Sequence, residues 1–124
     1  MANSSLEHVN ITVSDIDRSA ALLERLMGWH IRWRGPSQLG GETIHVGSAR
    51  DYIAVYTRGA PVAGRFGKGV PLNHVGLMVD DLAAAEAVVT DAGLVPFNHA
   101  DYAPGRRFYF FDWDGIEFEV VSYS

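Results

Sequence analysis

The chain has 124 residues, 48% of them hydrophobic and 20% charged, which suits a folded domain with a core and not a disordered chain. Its formal net charge of −5 argues against a nucleic-acid surface, because phosphate binding draws on clustered basic side chains. It has no cysteine, so disulfides, thiolate metal sites and a cysteine nucleophile are excluded, and any metal must be held by nitrogen and oxygen.

No apolar run reaches bilayer length, and the start Met-Ala-Asn-Ser-Ser lacks the basic and apolar regions of a signal peptide. No membrane partner is expected, and a cytoplasmic location is. Leu6 to Val13 alternates apolar and polar residues and predicts a strand. Ser14-Asp15 offers a helix N-cap, with Asp17 in the first turn. Ile16, Ala20, Leu23 and Met27 recur at helical spacing and predict one buried stripe, which Gly28 stops. Strands follow at Trp29–Arg34, Glu42–Val46 and Tyr52–Thr57, with Gly47–Asp51 turning the last two back on each other.

Residues 59–71, rich in glycine and carrying two prolines, read as a linker. The order then repeats: a strand at Leu72–Val79, a helix at Asp81–Ala92 stopped by Gly93, and strands at Leu94–His99, Arg106–Phe111 and Ile116–Ser122. Turns fall at Pro104-Gly105 and at Asp112–Gly115. At a shift of 66 residues, Leu6, His8, Val9, Val13, Asp15 and Ala21 meet Leu72, His74, Val75, Val79, Asp81 and Ala87. That is an internal duplication. The chain is expected to be a single domain over 1–124, with module one at about 6–58 and module two at about 72–123. The fold class is α+β: two βαβββ modules forming a curved mixed sheet with helices on the outside. Neither module could bury both faces of its own sheet, so the two should pack side by side or exchange between protomers.

Strand alternation puts His8 on the face opposite Val9, Ile11 and Val13, and His74 on the face opposite Val75, Leu77 and Val79. An approximate two-fold would aim both imidazoles at one concave surface. On the last strand Glu117 and Glu119 share a face, where a carboxylate is costly unless paired or ligating. Two histidines and a carboxylate make a facial triad that leaves coordination positions open for substrate. The turns at Gly47–Asp51 and Asp112–Gly115 match, which sets Ala54 where Glu119 stands in the other module. The site then has three protein ligands and a gap.

The chain resembles the vicinal oxygen chelate superfamily in its doubled βαβββ order, its paired Leu-x-His-Val strand starts and its Phe-Tyr-Phe-Phe-Asp-x-Asp-Gly…Glu ending. That family includes glyoxalase I, fosfomycin-resistance thiol transferases, methylmalonyl-CoA epimerase, extradiol dioxygenases and metal-free drug-binding proteins. The resemblance implies that His8, His74 and Glu119 bind a divalent metal ion: Fe2+, Mn2+, Zn2+ or Ni2+. Ala54 stands where glyoxalase I and the epimerase place a fourth Glu or Gln ligand, which counts against both activities. Tyr109, ten residues before Glu119, matches an active-site tyrosine of the dioxygenases and fosfomycin enzymes. The dioxygenases also carry a histidine and an aspartate in the loop before that strand, roughly where His99 and Asp101 lie.

Arg107 should share Tyr109's face and could hold an anionic substrate or pair with Glu117. His45 is either a cavity wall or a surface residue, His99 flanks a strand and is expected to be exposed, and His45, Glu117 or His99 could serve as base. Tyr52, Tyr56, Trp33 and Phe97 could line a substrate pocket or be plain packing. The expected function is a small metal-dependent enzyme that chelates a substrate through vicinal oxygens, leaning toward extradiol dioxygenase-like chemistry. Glyoxalase-like lyase or isomerase chemistry, fosfomycin-type thiol transfer, and metal-free small-molecule binding are the alternatives. The resemblance further implies a homodimer with module exchange, so that His8 and His74 could come from different protomers.

Overall fold

The structure is a computed structural model that describes residues 3–38, 40–62, 69, 71–102 and 105–124, with Tyr102 by its backbone. Most of the expected linker, at 63–68 and 70, and Pro104 of the expected Pro104-Gly105 turn lie outside the described residues. The chain divides into two compact units, Met1–Val62 and Ala63–Ser124.

The first unit runs β1 (His8–Thr12), α1 (Ile16–Met27), β2 (His30–Pro36), β3 (Glu42–Gly47) and β4 (Tyr52–Thr57). Its sheet has the order β1-β4-β3-β2, with β1 parallel to β4 and the other pairs antiparallel. The second unit runs β5 (Val75–Met78), α2 (Leu82–Asp91), β6 (Phe97–Tyr102), β7 (Gly105–Phe111) and β8 (Glu117–Ser122). Its sheet has the equivalent order β5-β8-β7-β6. The fold is therefore α+β, two βαβββ units each with a mixed four-stranded sheet.

The duplicated aspartates cap the two helices in the same way. Asp15 accepts from the Arg18 N–H at 3.1 Å, and Asp81 accepts from the Ala84 N–H at 3.0 Å. The C-terminal end of α1 is a left-handed Gly28, φ 68°, whose N–H donates to the Glu24 carbonyl. The buried stripe of α1 is wider than expected. It takes in Ser19, Leu22 and Leu26, and Met27 is only half-buried. That helix covers a sheet face closed by Ile44, Val46 and Val55, all fully buried. In the second unit α2 packs against β7 and β8, and Val89, Phe108, Phe110 and Val120 are fully buried.

Strand β6 begins at Phe97 rather than Leu94. The Leu94 N–H is still bonded to the Val89 carbonyl, and Pro96 has no N–H to give to a ladder. A β-bulge then falls between Phe97 and Ala100, with Asn98 at φ 56°. Asn is one of the few residues that adopts this conformation cheaply.

The β7–β8 turn is held by the buried Asp112. Its Oδ1 accepts from the N–H groups of Asp114 at 2.9 Å and Ile116 at 2.8 Å. Burial pushes the carboxyl up to about 6 from 3.8, against the pull of those N–H groups. A folded-state pKa above the unfolded one means that stability is greatest below the unfolded value and is lost as pH rises through the folded one. Asp112→Asn keeps an oxygen for both N–H groups and removes the titration. Between pH 4 and pH 7 the wild-type chain should lose roughly 2–3 kcal/mol of stability relative to Asp112→Asn, measured by urea unfolding. A difference between the two proteins that stays constant with pH would refute this account of the turn.

Candidate functional site

Cross-strand register decides which side chains share a face. In the second unit Gly76 lies beside Glu119, Glu119 opposite Tyr109, and Tyr109 opposite Phe97. Arg107, opposite Val121, is two residues from Tyr109 and takes the same face. His74 precedes Gly76 by two and reaches that face from the start of β5.

These residues meet around the Glu119 carboxylate. His74 Nε2 lies 2.9 Å from Glu119 Oε1, and Arg107 Nη1 donates to Glu119 Oε2 at 2.8 Å. The side chains of Glu119 and Arg107 are each 13% exposed, so this ion pair is shielded rather than solvated. Arg107 therefore pairs with Glu119, while Glu117 was the partner weighed from the sequence. Tyr109 sets its ring edge-on to His74, 5.6 Å between centroids, and Phe97 lies 6.1 Å from Tyr109. Glu117 is buried, 3% exposed, on the same strand face and opposite Phe111.

His74 Nδ1 lies 2.7 Å from Asn73 Oδ1. If Nδ1 donates there, the Nε2 of a neutral ring is a lone pair facing a carboxylate oxygen. Such a contact is attractive only with a positive charge at it, either a proton on Nε2 or a cation held by both atoms. Two donors each about 2.1 Å from one metal ion stand about 3 Å apart when they subtend a right angle. The donor types and their spacing fit a divalent ion. Among the described residues no group of three or more His, Cys, Asp or Glu side chains is assembled to hold one, so the pair requires a further ligand.

The first unit carries the equivalent rows with different residues. Asn10 lies beside Ala54, Ala54 opposite His45, and His45 opposite Trp33. Ala54 thus holds the slot of Glu119, His45 that of Tyr109 and Trp33 that of Phe97. His8 holds the slot of His74, and its Nδ1 lies 2.9 Å from Glu7 Oε1. A carboxylate accepting from Nδ1 leaves Nε2 as the lone pair, the arrangement a metal-binding imidazole uses. Glu7 and Asn73, each the residue before its histidine, occupy matched positions that sequence reading passed over. Their signal was the 66-residue shift itself, which pairs them.

His8, Tyr52, His45 and Trp33 form a continuous run of rings, with centroid separations of 4.8, 4.5 and 5.0 Å. Arg32 sits over the Tyr52 ring at 4.5 Å. Burial holds His45 below the usual imidazole value, and the Arg32 guanidinium adds to this. His45, Trp33 and Tyr56 line a cavity of about 740 Å³. His45 is therefore a cavity wall, one of the two readings left open from the sequence.

His99 faces elsewhere. Its Nε2 lies 2.5 Å from Glu86 Oε1 on α2, and its ring stacks on the buried Phe108. The bulge at Asn98 is the reason. Plain alternation from Phe97 would set His99 on Tyr109's face, and the extra residue turns it to the helix side.

A family model described as "Glyoxalase/Bleomycin resistance protein/Dioxygenase superfamily" matches residues 7–110. No curated protein sequence matches the chain. Among solved structures, a glyoxylase/bleomycin resistance protein/dioxygenase domain from Frankia sp. EAN1pec is 22% identical, covers 96% of this chain and 91% of its own, and superposes with a TM-score of 0.81. The fosfomycin resistance protein FosX from Mesorhizobium loti is 22% identical over 95% of this chain and 90% of its own, TM-score 0.72. FosX from Listeria monocytogenes, as an E126Q mutant in complex with Mn(II) and 1S,2S-dihydroxypropylphosphonic acid, is 17% identical over 95% and 91%, TM-score 0.73. At these identities the likeness shows a common fold. With the family model spanning most of its length, the chain belongs to the glyoxalase/bleomycin resistance protein/dioxygenase superfamily.

Proposed function

We propose that the protein is a divalent-metal-dependent enzyme that takes a small molecule through two neighbouring oxygens, with His8, His74 and Glu119 as the metal ligands. The observation that carries this reading is the 2.9 Å approach of His74 Nε2 to Glu119 Oε1, two metal-ligand donor types at a spacing that one ion can span. The Mn(II) bound by the related FosX supports a divalent ion there. His8, with Nδ1 facing Glu7, is the matching ligand of the first unit. It would join the pair either within one chain or, in a homodimer with exchanged modules, from a second copy. In the same reading the chain is one domain over 1–124, its modules joined at 59–71, and it works in the cytoplasm.

When bound, the ion supplies Lewis-acid stabilisation of charge developing on substrate oxygen and, as Fe(II), redox chemistry with dioxygen. Arg107 keeps Glu119 Oε2 engaged and leaves Oε1 toward His74. Tyr109 offers its hydroxyl to a substrate oxygen from the strand opposite Glu119. His45 is held neutral and can take a proton. Glu117 is the second candidate base, with Tyr52, Tyr56, Trp33 and Phe97 as walls. Ala54 in the slot of Glu119 supports the lean to extradiol dioxygenase-like chemistry, because that slot would add no fourth protein ligand and the ion would keep positions open for substrate. Lyase or isomerase chemistry and thiol transfer are the alternatives on the same ligands.

The chain, purified without oxygen and dialysed in turn against Fe(II), Mn(II), Ni(II) and Zn(II), should retain about one ion per chain in elemental analysis. At an ion concentration 100 times Kd it should gain about 2.7 kcal/mol of stability. His74→Ala and Glu119→Ala should lose both effects. Retention of none of the four ions, with no stabilisation by any, would end this reading. Oxygen consumption on catechols by the iron-loaded protein separates dioxygenation from the other chemistries.

A second experiment tests the ion pair without metal. Arg107→Met should cost about 2–4 kcal/mol, because it strips a shielded carboxylate of its cation, and adding Glu119→Gln should recover part of that. A double-mutant cycle should give a coupling of at least about 1 kcal/mol. Simple additivity would mean that the two side chains do not support each other.

A further inference from the structure

The cavity of the first unit has a wall chemistry that specifies a ligand class. Its volume of about 740 Å³ is in the range of small-molecule sites. Trp33 stands on its wall with 46% of its surface exposed, tilted 46° against His45. A large exposed aromatic ring beside a cavity is surface that a flat apolar partner can cover.

The polar groups around that ring are all uncharged. Ser37 Oγ and Thr43 Oγ1 share a hydrogen bond of 2.6 Å, and the Tyr56 hydroxyl donates to the Gly40 carbonyl at 3.4 Å. Asn10 adds an amide, and His45 an imidazole held neutral by burial. Among the described residues lining the cavity there is no Asp, Glu, Lys or Arg. An anion entering it would give up hydration without gaining an ion pair. Arg32 of the same unit lies over the Tyr52 ring, outside the lining.

We propose that this cavity binds an uncharged, planar ring compound, stacked on Trp33 with its oxygens among the Asn10, Thr43 and His45 side chains, and that it selects against anionic ligands. The proposal deepens the reading above by naming the substrate class, and it rests on that reading only in taking this sheet face as the ligand side. Ring binding itself requires no metal. A phosphonate or carboxylate substrate is disfavoured by the same walls.

The test uses metal-free full-length protein and calorimetric titration at pH 7. The probes are 2,3-dihydroxynaphthalene and its 6-sulfonate, which share a ring and a diol and differ by one negative charge. The neutral probe should bind saturably, and the sulfonate at least about tenfold more weakly. Trp33→Ala should weaken the neutral probe by about tenfold or more, and Trp33→Phe should restore most of the affinity, because a smaller ring still stacks. Circular dichroism and urea unfolding of each variant check that the fold is intact. Equal or tighter binding of the sulfonate, no saturable binding of the neutral probe, or affinity unchanged in a folded Trp33→Ala would each overturn the proposal. Because the metal is stripped beforehand, failure here leaves the ion-retention result standing, and failure of ion retention leaves this binding intact.

Discussion

The Glu119 carboxylate, held between an imidazole and a guanidinium, is the interaction on which the second unit's chemistry depends. It exists because two different pairings meet on β8. The parallel pairing with β5 brings Gly76 beside Glu119, and so His74 within reach. The antiparallel pairing with β7 sets Tyr109 opposite Glu119 and Arg107 one same-face step away. A slip of one residue in either pairing would turn these side chains to the helix side. The apolar face forbids that slip, because it would expose Phe108, Phe110, Phe118 and Val120, none more than 2% exposed now. The helix-covered core thus keeps the polar face in register, although it contributes no group to it.

The duplicated sheets have been put to different use along equivalent rows. One row reads Gly76, Glu119, Tyr109, Phe97, and its counterpart reads Asn10, Ala54, His45, Trp33. The carboxylate is lost in the first unit, and a run of stacked rings replaces it. Rings suit that position, because each lies flat against the next on neighbouring strands and covers area without needing a counter-charge. In the proposed reading one unit supplies most of the cation chemistry and the other most of the surface for the organic ligand. Duplication makes this division cheap, since each sheet keeps its apolar side while its other side diverges.

Much of this was legible in the residues, and the failures have physical causes. The duplicated aspartates gave the N-caps, and glycine after Met27 gave the end of α1, because both are set by local backbone chemistry. The match of Ala54 with Glu119 followed from aligning the two turns, and the strand register agrees with it. His99 was hidden by the Asn98 bulge, since alternation carries no warning of an extra residue. Arg107 was hidden because a long side chain can reach either of two carboxylates on one face, and sequence spacing ranks them equally. The correspondence of His45 with Tyr109 was obscured by a loop difference. Four residues separate Gly47 from Tyr52, and five separate Phe111 from Glu117, so the repeat spacing drifts across the sheet.

That drift shows where control of the site resides. The β3–β4 turn needs glycine at 47, because a Cβ there would lie 2.1 Å from the Asp51 carbonyl oxygen. The β7–β8 turn closes differently, around a buried carboxyl that binds the Asp114 and Ile116 N–H groups. Neither turn touches the imidazoles, yet each fixes how its two strands are offset, and the offset decides which residue lies opposite which. A buried carboxyl that binds two backbone N–H groups in one turn, and a missing Cβ in the other, close the strands that set Tyr109 opposite Glu119 and His45 opposite Ala54. The turns and the buried apolar face thus fix the register together, and the identity of the side chains supplies the chemistry on the polar face.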